Sequence, residues 1–243
     1  MSLFLGGKGA LPRIEKLSQR RTHLFSILDV GSSKVTCLIA RLRPRPESEV
    51  LPNRTHVAEV IGIGHQRSRG IKSGVVVDIA AAEQSIRACV DTAERQAGLT
   101  IESLIVSVTA GRLKSLRGKA ELTVAGAEVS PADLRRVLNQ AARTQMSQGR
   151  VALHSVPFDL SLDGEGGLDD PIGMVGEVLG AELHVLTAEE TPLRNLEAAI
   201  NRAHLVVEAF VAAPYGILAR HGQPDTQNFF ILHEGAVGMS DGQ

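Results

Sequence analysis

Residues 23–30 (HLFSILDV) and 35–42 (VTCLIARL) are two apolar runs separated by only Gly31-Ser32-Ser33-Lys34. Each run has strand length and strand composition, and a connection this short joins them only as an antiparallel pair around a tight turn. A third run, residues 57–64 (VAEVIGIG), follows a connection rich in proline and charge that holds Asn53. The three together predict an antiparallel meander. Residues 65–77 (HQRSRGIKSGVVV) read as a basic loop punctuated by glycine. A helix is expected from Ile79 to Ala97, with Asp78 as N-cap and Gly98 as the glycine just past its end. Its apolar stripe is Ile79, Ala82, Ile86, Val90, Ala93 and Ala97, at steps of three and four. Residues 101–108 (IESLIVSV) then read as a buried strand, so the order is β-β-β-α-β.

A second block starts near Thr109. It offers a strand in RGKAELTV, then a helix opened by Ser130-Pro131 with Leu134, Val137, Leu138 and Ala141 on its core side. A strand in VALHSVPFDLSLDG has its alternation broken at Pro157, and an acidic glycine loop leads to a last strand in AELHVLTAE. A helix from Pro192 to Ala203, capped by Thr191, and a strand at 206–214 close the pattern. After Tyr215 the periodicity dissolves. Residues 1–22 read as a flexible tail whose Lys8, Arg13, Lys16, Arg20 and Arg21, offset by Glu15, offer a weak electrostatic tether.

Composition narrows the function classes. Net charge is −1 and aromatic residues are 3% of the chain, with no Trp, which argues against nucleic-acid binding. No run of about 18 apolar residues is present, so no transmembrane span is expected. Cys37 and Cys89 sit in apolar segments and read as small buried hydrophobes. His65, His154 and His184 lack ligand spacing, and Asp163, Glu165, Asp169 and Asp170 lack that of a calcium loop; all read as structural. Arg67, Arg69 and Lys72 form a solvated basic stretch.

The chemistry rests on Asp29-Val30-Gly31-Ser32-Ser33-Lys34. Gly31 permits a sharp turn and close approach to a ligand. The successive amides of Ser32, Ser33 and Lys34 can converge on phosphate oxygens, and the two hydroxyls add donors. Lys34 supplies a compact positive charge. Asp29 is suited to hold Mg²⁺, directly or through water, because that ion prefers oxygen ligands and keeps its waters. Neither GxxxxGK[ST] nor GxGxxG is present.

Wider context gives this turn meaning. DVGSSKVTCLIAR and the spacing of Gly62, Gly64, Ser68, Gly70, Ile71, Gly74, Val76 and Asp78 resemble the opening of the FtsA family. IESLIVSVTAG also resembles that family, as do His154, Pro157, Pro171, Gly173, Met174, Gly176, Leu179 and His184. The resemblance covers residues 24 to 215 and ends there. The second phosphate loop and the adenosine loop that the family carries are absent, which reads as the front half of a truncated product.

The resemblance implies an α/β, actin-like mixed sheet with helices, of the actin/Hsp70/hexokinase superfamily, plus an inserted small α+β domain. Residues 23–108 and 187–215 would form subdomain 1A, residues 109–186 the inserted 1C interaction domain, and residues 216–243 an irregular tail. It implies ATP with Mg²⁺ at Asp29, Gly31, Ser32, Ser33 and Lys34, with Asp29 serving the metal, and a cytoskeletal role rather than an enzymatic one. It also implies self-association through residues 109–186, and partnership with FtsZ and later division proteins, although the FtsZ-binding half is missing. The implied place is cytoplasmic, and the cytoplasmic face of the inner membrane at the division site, where the Z ring forms the septum, if the missing C-terminal anchor is supplied. A PilM-like pilus-assembly module shares this plan. A sugar-kinase-like phosphotransferase would share the first turn but needs a general-base Asp and a second phosphate loop.

Overall fold

The computed structural model describes residues 21–46, 56–108, 112–144 and 146–212. Of the expected tails at 1–22 and 216–243, all but Arg21 and Thr22 lie outside these residues. The described chain divides into two compact units, one spanning Leu113–Glu190 and the other built from the segments on either side of it.

The flanking segments form a five-stranded mixed sheet. β1 (His23–Val30), β2 (Lys34–Pro44) and β3 (His56–Arg67) make the expected antiparallel meander, and β6 (Ser103–Val108) and β10 (Val206–Ala212) extend it in parallel, in the order β10-β6-β1-β2-β3. β1 therefore has a neighbour on each side. In one row Leu28 pairs with Cys37 and Val106, and Cys37 with Gly64; in the next Asp29 pairs with Thr36 and Ser107, and Thr36 with His65. Successive residues of a strand point to opposite faces, so these two rows define the two sides of the sheet.

Helix α1 (Ile79–Ala97) covers the side that carries Leu28 and Cys37. Asp78 caps it by accepting the Ala81 amide at 3.0 Å, and Gly98 ends it in the left-handed conformation with its N–H donated to Glu94 O. The buried residues are Ala82, Ser85, Ile86, Cys89, Val90 and Ala93, and burial of a side chain such as Ile86 contributes about 1.5–3 kcal/mol. The helix lies directly on the backbone of β3. A Cβ at Gly62 would stand 2.3 Å from Ala93 O, and one at Gly64 only 1.9 Å from Cys89 O. Cys89 donates its thiol to Val35 O at 3.4 Å, and burial pushes its pKa up to about 12.

Several boundaries differ from the sequence expectation. The basic stretch at 65–77 is not all loop: β3 runs to Arg67, and β4 (Ile71–Lys72) and β5 (Val75–Val76) form a tight hairpin. Ser73 and Gly74 form its turn, both with positive φ, 49° and 73°. Positive φ at both central residues is the demand of a two-residue turn whose twist matches its strands, and strands of two residues are too short to leave a period. Helix α3 (Glu190–Arg202) begins directly after β9 (Val178–Glu189), so Thr191 lies inside the helix rather than capping it. The strand 206–214 is seen as β10 to Ala212; its last two residues lie outside the described chain.

The unit Leu113–Glu190 has its own sheet, β7 (Lys114–Thr123), β9 and β8 (Arg150–Leu162), all antiparallel in the order β7-β9-β8. Residues 187–189, assigned to the main subdomain by the family resemblance, belong to β9 instead. Helix α2 (Pro131–Arg143) packs on the sheet with Val137, Leu138, Ala141 and Ala142 against Ala120, Leu179, Leu183 and Val185. Ser130 accepts from the Asp133 amide at 3.2 Å while the Asp133 carboxylate accepts from the Ser130 amide, a reciprocal cap. β8 slips register between Pro157 and Asp159, where its alternation breaks.

His154 on β8 is 8% exposed, and burial lowers its pKa to about 4. The unfolded chain, near 6.5, therefore takes up a proton that the folded chain refuses. Stability from this group is present above pH 6.5 and is lost as the pH falls toward 4. Urea midpoints are expected to drop over that window, and His154→Gln should flatten the drop. The close approach of β3 and α1 gives a second expectation: Gly64→Ala should cost about 1–3 kcal/mol or more in urea unfolding, because the new methyl meets main chain.

Candidate functional site

The turn between β1 and β2 is closed by the Gly31 amide, which donates to Lys34 O at 3.0 Å. Asp29 and Lys34 are half-buried, whereas Ser32 and Ser33 at the tip are exposed. The Ser33 carbonyl accepts the Ser68 amide at 3.0 Å, and Ser32 Oγ accepts the Gly74 amide from the β4–β5 hairpin at 2.9 Å. Both contacts pin the turn from the basic stretch. They also leave the Ser32 hydroxyl proton available, since the oxygen acts there as acceptor. No hydrogen-bond acceptor for the Ser32 and Ser33 amides occurs among the described residues. Two adjacent exposed N–H groups on a fixed turn form a ready seat for an anion.

The face of the sheet away from α1 carries the rest. At its turn end Lys34 pairs with Arg67. The row below is His65, Thr36, Asp29 and Ser107, on β3, β2, β1 and β6. Thr36 Oγ1 and His65 Nδ1 are 3.3 Å apart. The next row is Ile63, Leu38, Ile27 and Ile105. Cationic, polar and apolar rows thus succeed one another along the strands, and Asp29 lies in the polar row beneath the cations.

All five turn residues singled out from the sequence, Asp29, Gly31, Ser32, Ser33 and Lys34, come together here. Sequence reasoning missed Gly74, Thr36, His65, Ser68 and Ser107 as neighbours of the turn. Ser107 left a signal, a hydroxyl inside the apolar run of IESLIVSV. It is 1% exposed, and its Oγ, like that of Ser68, is buried with no hydrogen-bond partner among the described residues. A buried orphan hydroxyl calls for an explanation such as a bound water or ion. Open amides and an orphan hydroxyl are the donor and acceptor groups that a hydrated metal–phosphate group would call on.

The acidic loop has a different task. Asp163 Oδ1 accepts the amides of Glu177 and Val178, each at 2.8 Å, and Asp170 Oδ1 accepts that of Ile172 at 3.0 Å. These carboxylates staple the loop. The described residues include no group of three or more His, Cys, Asp or Glu able to hold a metal, and no helix long and apolar enough to cross a membrane. The inserted unit instead exposes apolar side chains at Phe158, Ile172, Met174 and Val175, with Arg117 stacked over the Phe158 ring at 5.2 Å.

Comparison with known proteins reaches the same architecture. Residues 110–187 match the family model described as the SHS2 domain inserted in FtsA. The chain is similar to the cell division protein FtsA of Agrobacterium fabrum (strain C58), with 55% identity over 215 residues, covering 88% of this chain and 48% of that one. It is 33% identical to the FtsA of Pseudomonas aeruginosa over 195 residues, covering 79% of this chain and 44% of that protein. Among solved structures, the PilM–PilN type IV pilus biogenesis complex overlays on 81% of the chain, and half of the solved one, with a TM-score of 0.52 at 14% identity. That likeness concerns the fold alone.

The mixed sheet with its inserted domain defines an actin-like α/β protein. Identity spread over both units narrows the class further: both units are similar to FtsA proteins, and the inserted one matches the SHS2 domain of FtsA. It spans about half the length of the curated relatives it matches.

Proposed function

We propose that this chain works in bacterial cell division as an FtsA-type protein, taking part in assembly of the division ring and its attachment to the inner membrane. The reading is carried by 55% identity to division proteins across both units. A pilus-assembly role has only the fold likeness behind it. Depleting the protein in its source bacterium, with the gene restored on a plasmid, tests it. Unseptated filaments that revert on restoration are expected; normal division after depletion overturns the reading.

The turn serves, in this proposal, to bind ATP with Mg²⁺. The amides and hydroxyls of Ser32 and Ser33 receive phosphate oxygens, Lys34 offsets their charge, and Asp29 orients the ion through water. When bound, Mg²⁺ would neutralise phosphate charge. The role is one of binding and assembly rather than substrate turnover. The inserted unit, with its exposed Phe158, Ile172, Met174 and Val175, is the surface for self-association and for later division proteins, and FtsZ is a partner of the whole assembly. The chain would act at the cytoplasmic face of the membrane.

Asp29→Ala is expected to weaken Mg-ATP binding about tenfold or more in titration calorimetry, the scale of losing a charged ligand interaction. Equal affinity would remove Asp29 from the site.

A further inference from the structure

Ser107 is the buried end of the polar row that crosses four strands. It stands in parallel register with Asp29, on the face of the sheet that α1 does not cover. Neighbouring strands lie about 4.8 Å apart, so the two side chains are neighbours, yet no hydrogen bond joins them. The Ser107 hydroxyl is 1% exposed and unpartnered among the described residues. An unpaired buried hydroxyl opposes folding, whereas Ala at this place in an apolar strand would not. The row also grades in exposure, with His65 exposed, Thr36 and Asp29 half-buried and Ser107 buried. Within the row, Asp29 is the neighbour that stands between Ser107 and the exposed end.

We propose that Ser107 is a positioning residue of the nucleotide site: its hydroxyl holds, together with the Asp29 carboxylate, a water of the magnesium hydration shell. The inference rests on the nucleotide reading given above. Magnesium sheds its waters reluctantly and is commonly held through them. A metal-bound water donates two hydrogen bonds, and a single carboxylate leaves one of its protons to find another acceptor. Ser107 Oγ supplies that acceptor and orients the water. Ser107 acts through this water and does not touch the phosphates.

Calorimetric titration of the full chain with ATP, in Mg²⁺ and separately in EDTA, tests the idea on wild type, Ser107→Ala, Ser107→Thr and Asp29→Ala. Ser107→Ala should lose about three- to tenfold in affinity with Mg²⁺, the worth of one hydrogen bond, and change little in EDTA. Its melting temperature should be no lower than that of wild type, since an unpaired hydroxyl is removed. Ser107→Thr, which keeps the hydroxyl, should bind Mg-ATP as wild type does. Equal loss with and without Mg²⁺, or no loss at all in a wild type that binds ATP, overturns the role of Ser107 and leaves the nucleotide reading standing. A wild type that binds no ATP in either condition overturns both. A crystal structure with Mg-ATP provides a second readout. A water within hydrogen-bond distance of both Ser107 Oγ and the Asp29 carboxylate supports the proposal; a Ser107 hydroxyl bonded to main chain instead sinks it.

Discussion

β1 is hydrogen-bonded on both edges, antiparallel to β2 and parallel to β6. It is the line along which the sheet changes from antiparallel to parallel, and its last residues are held by two neighbours at once. A carboxylate at the end of such a strand has little freedom of main chain, so Asp29 is presented at a set height beside the turn. The other features of the site follow from this fixed strand. The turn must reverse within four residues, its tip must leave amides outside the ladder, and the residues facing Asp29 must come from β2 and β6.

The two faces of the sheet are then unequal. One is closed by α1, whose approach is so near that β3 gives up side chains at Gly62 and Gly64. The other keeps a sequence of rows, basic, then polar, then apolar, running away from the turn. Arrangement by rows is a property of register. A slip of one residue in β1 would send Asp29 to the face that α1 covers and Leu28 to the opposite face. Burial of Leu28, fully enclosed on the α1 side of the sheet, is therefore also what keeps Asp29 on the other face.

Much of this was legible in the sequence because it depends on local rules. The meander shows in three apolar runs with short connections, α1 in its stripe and caps, α2 in Ser130-Pro131. The β4–β5 hairpin did not show, since Ile71–Lys72 and Val75–Val76 are too short for alternation and its turn is marked only by Ser73-Gly74. The start of α3 was displaced because strand and helix abut at Glu189–Glu190 with no loop residues to mark the change. Within the site, the contiguous turn was visible as a unit. His65, Thr36 and Ser107 were not, because strand pairing brings His65 to Thr36 from 29 residues away and Ser107 to Asp29 from 78 residues away, and register is not written in any one segment.

The contact between β3 and α1 has a bearing on how this protein can vary over generations. What stands opposite position 64 is the carbonyl oxygen of residue 89, a group that every amino acid possesses. Trimming Cys89 to a smaller residue would not enlarge the gap. A lineage that loses this glycine accordingly has no compensating substitution across the contact, and is left with reversion or with a shift of the whole helix axis.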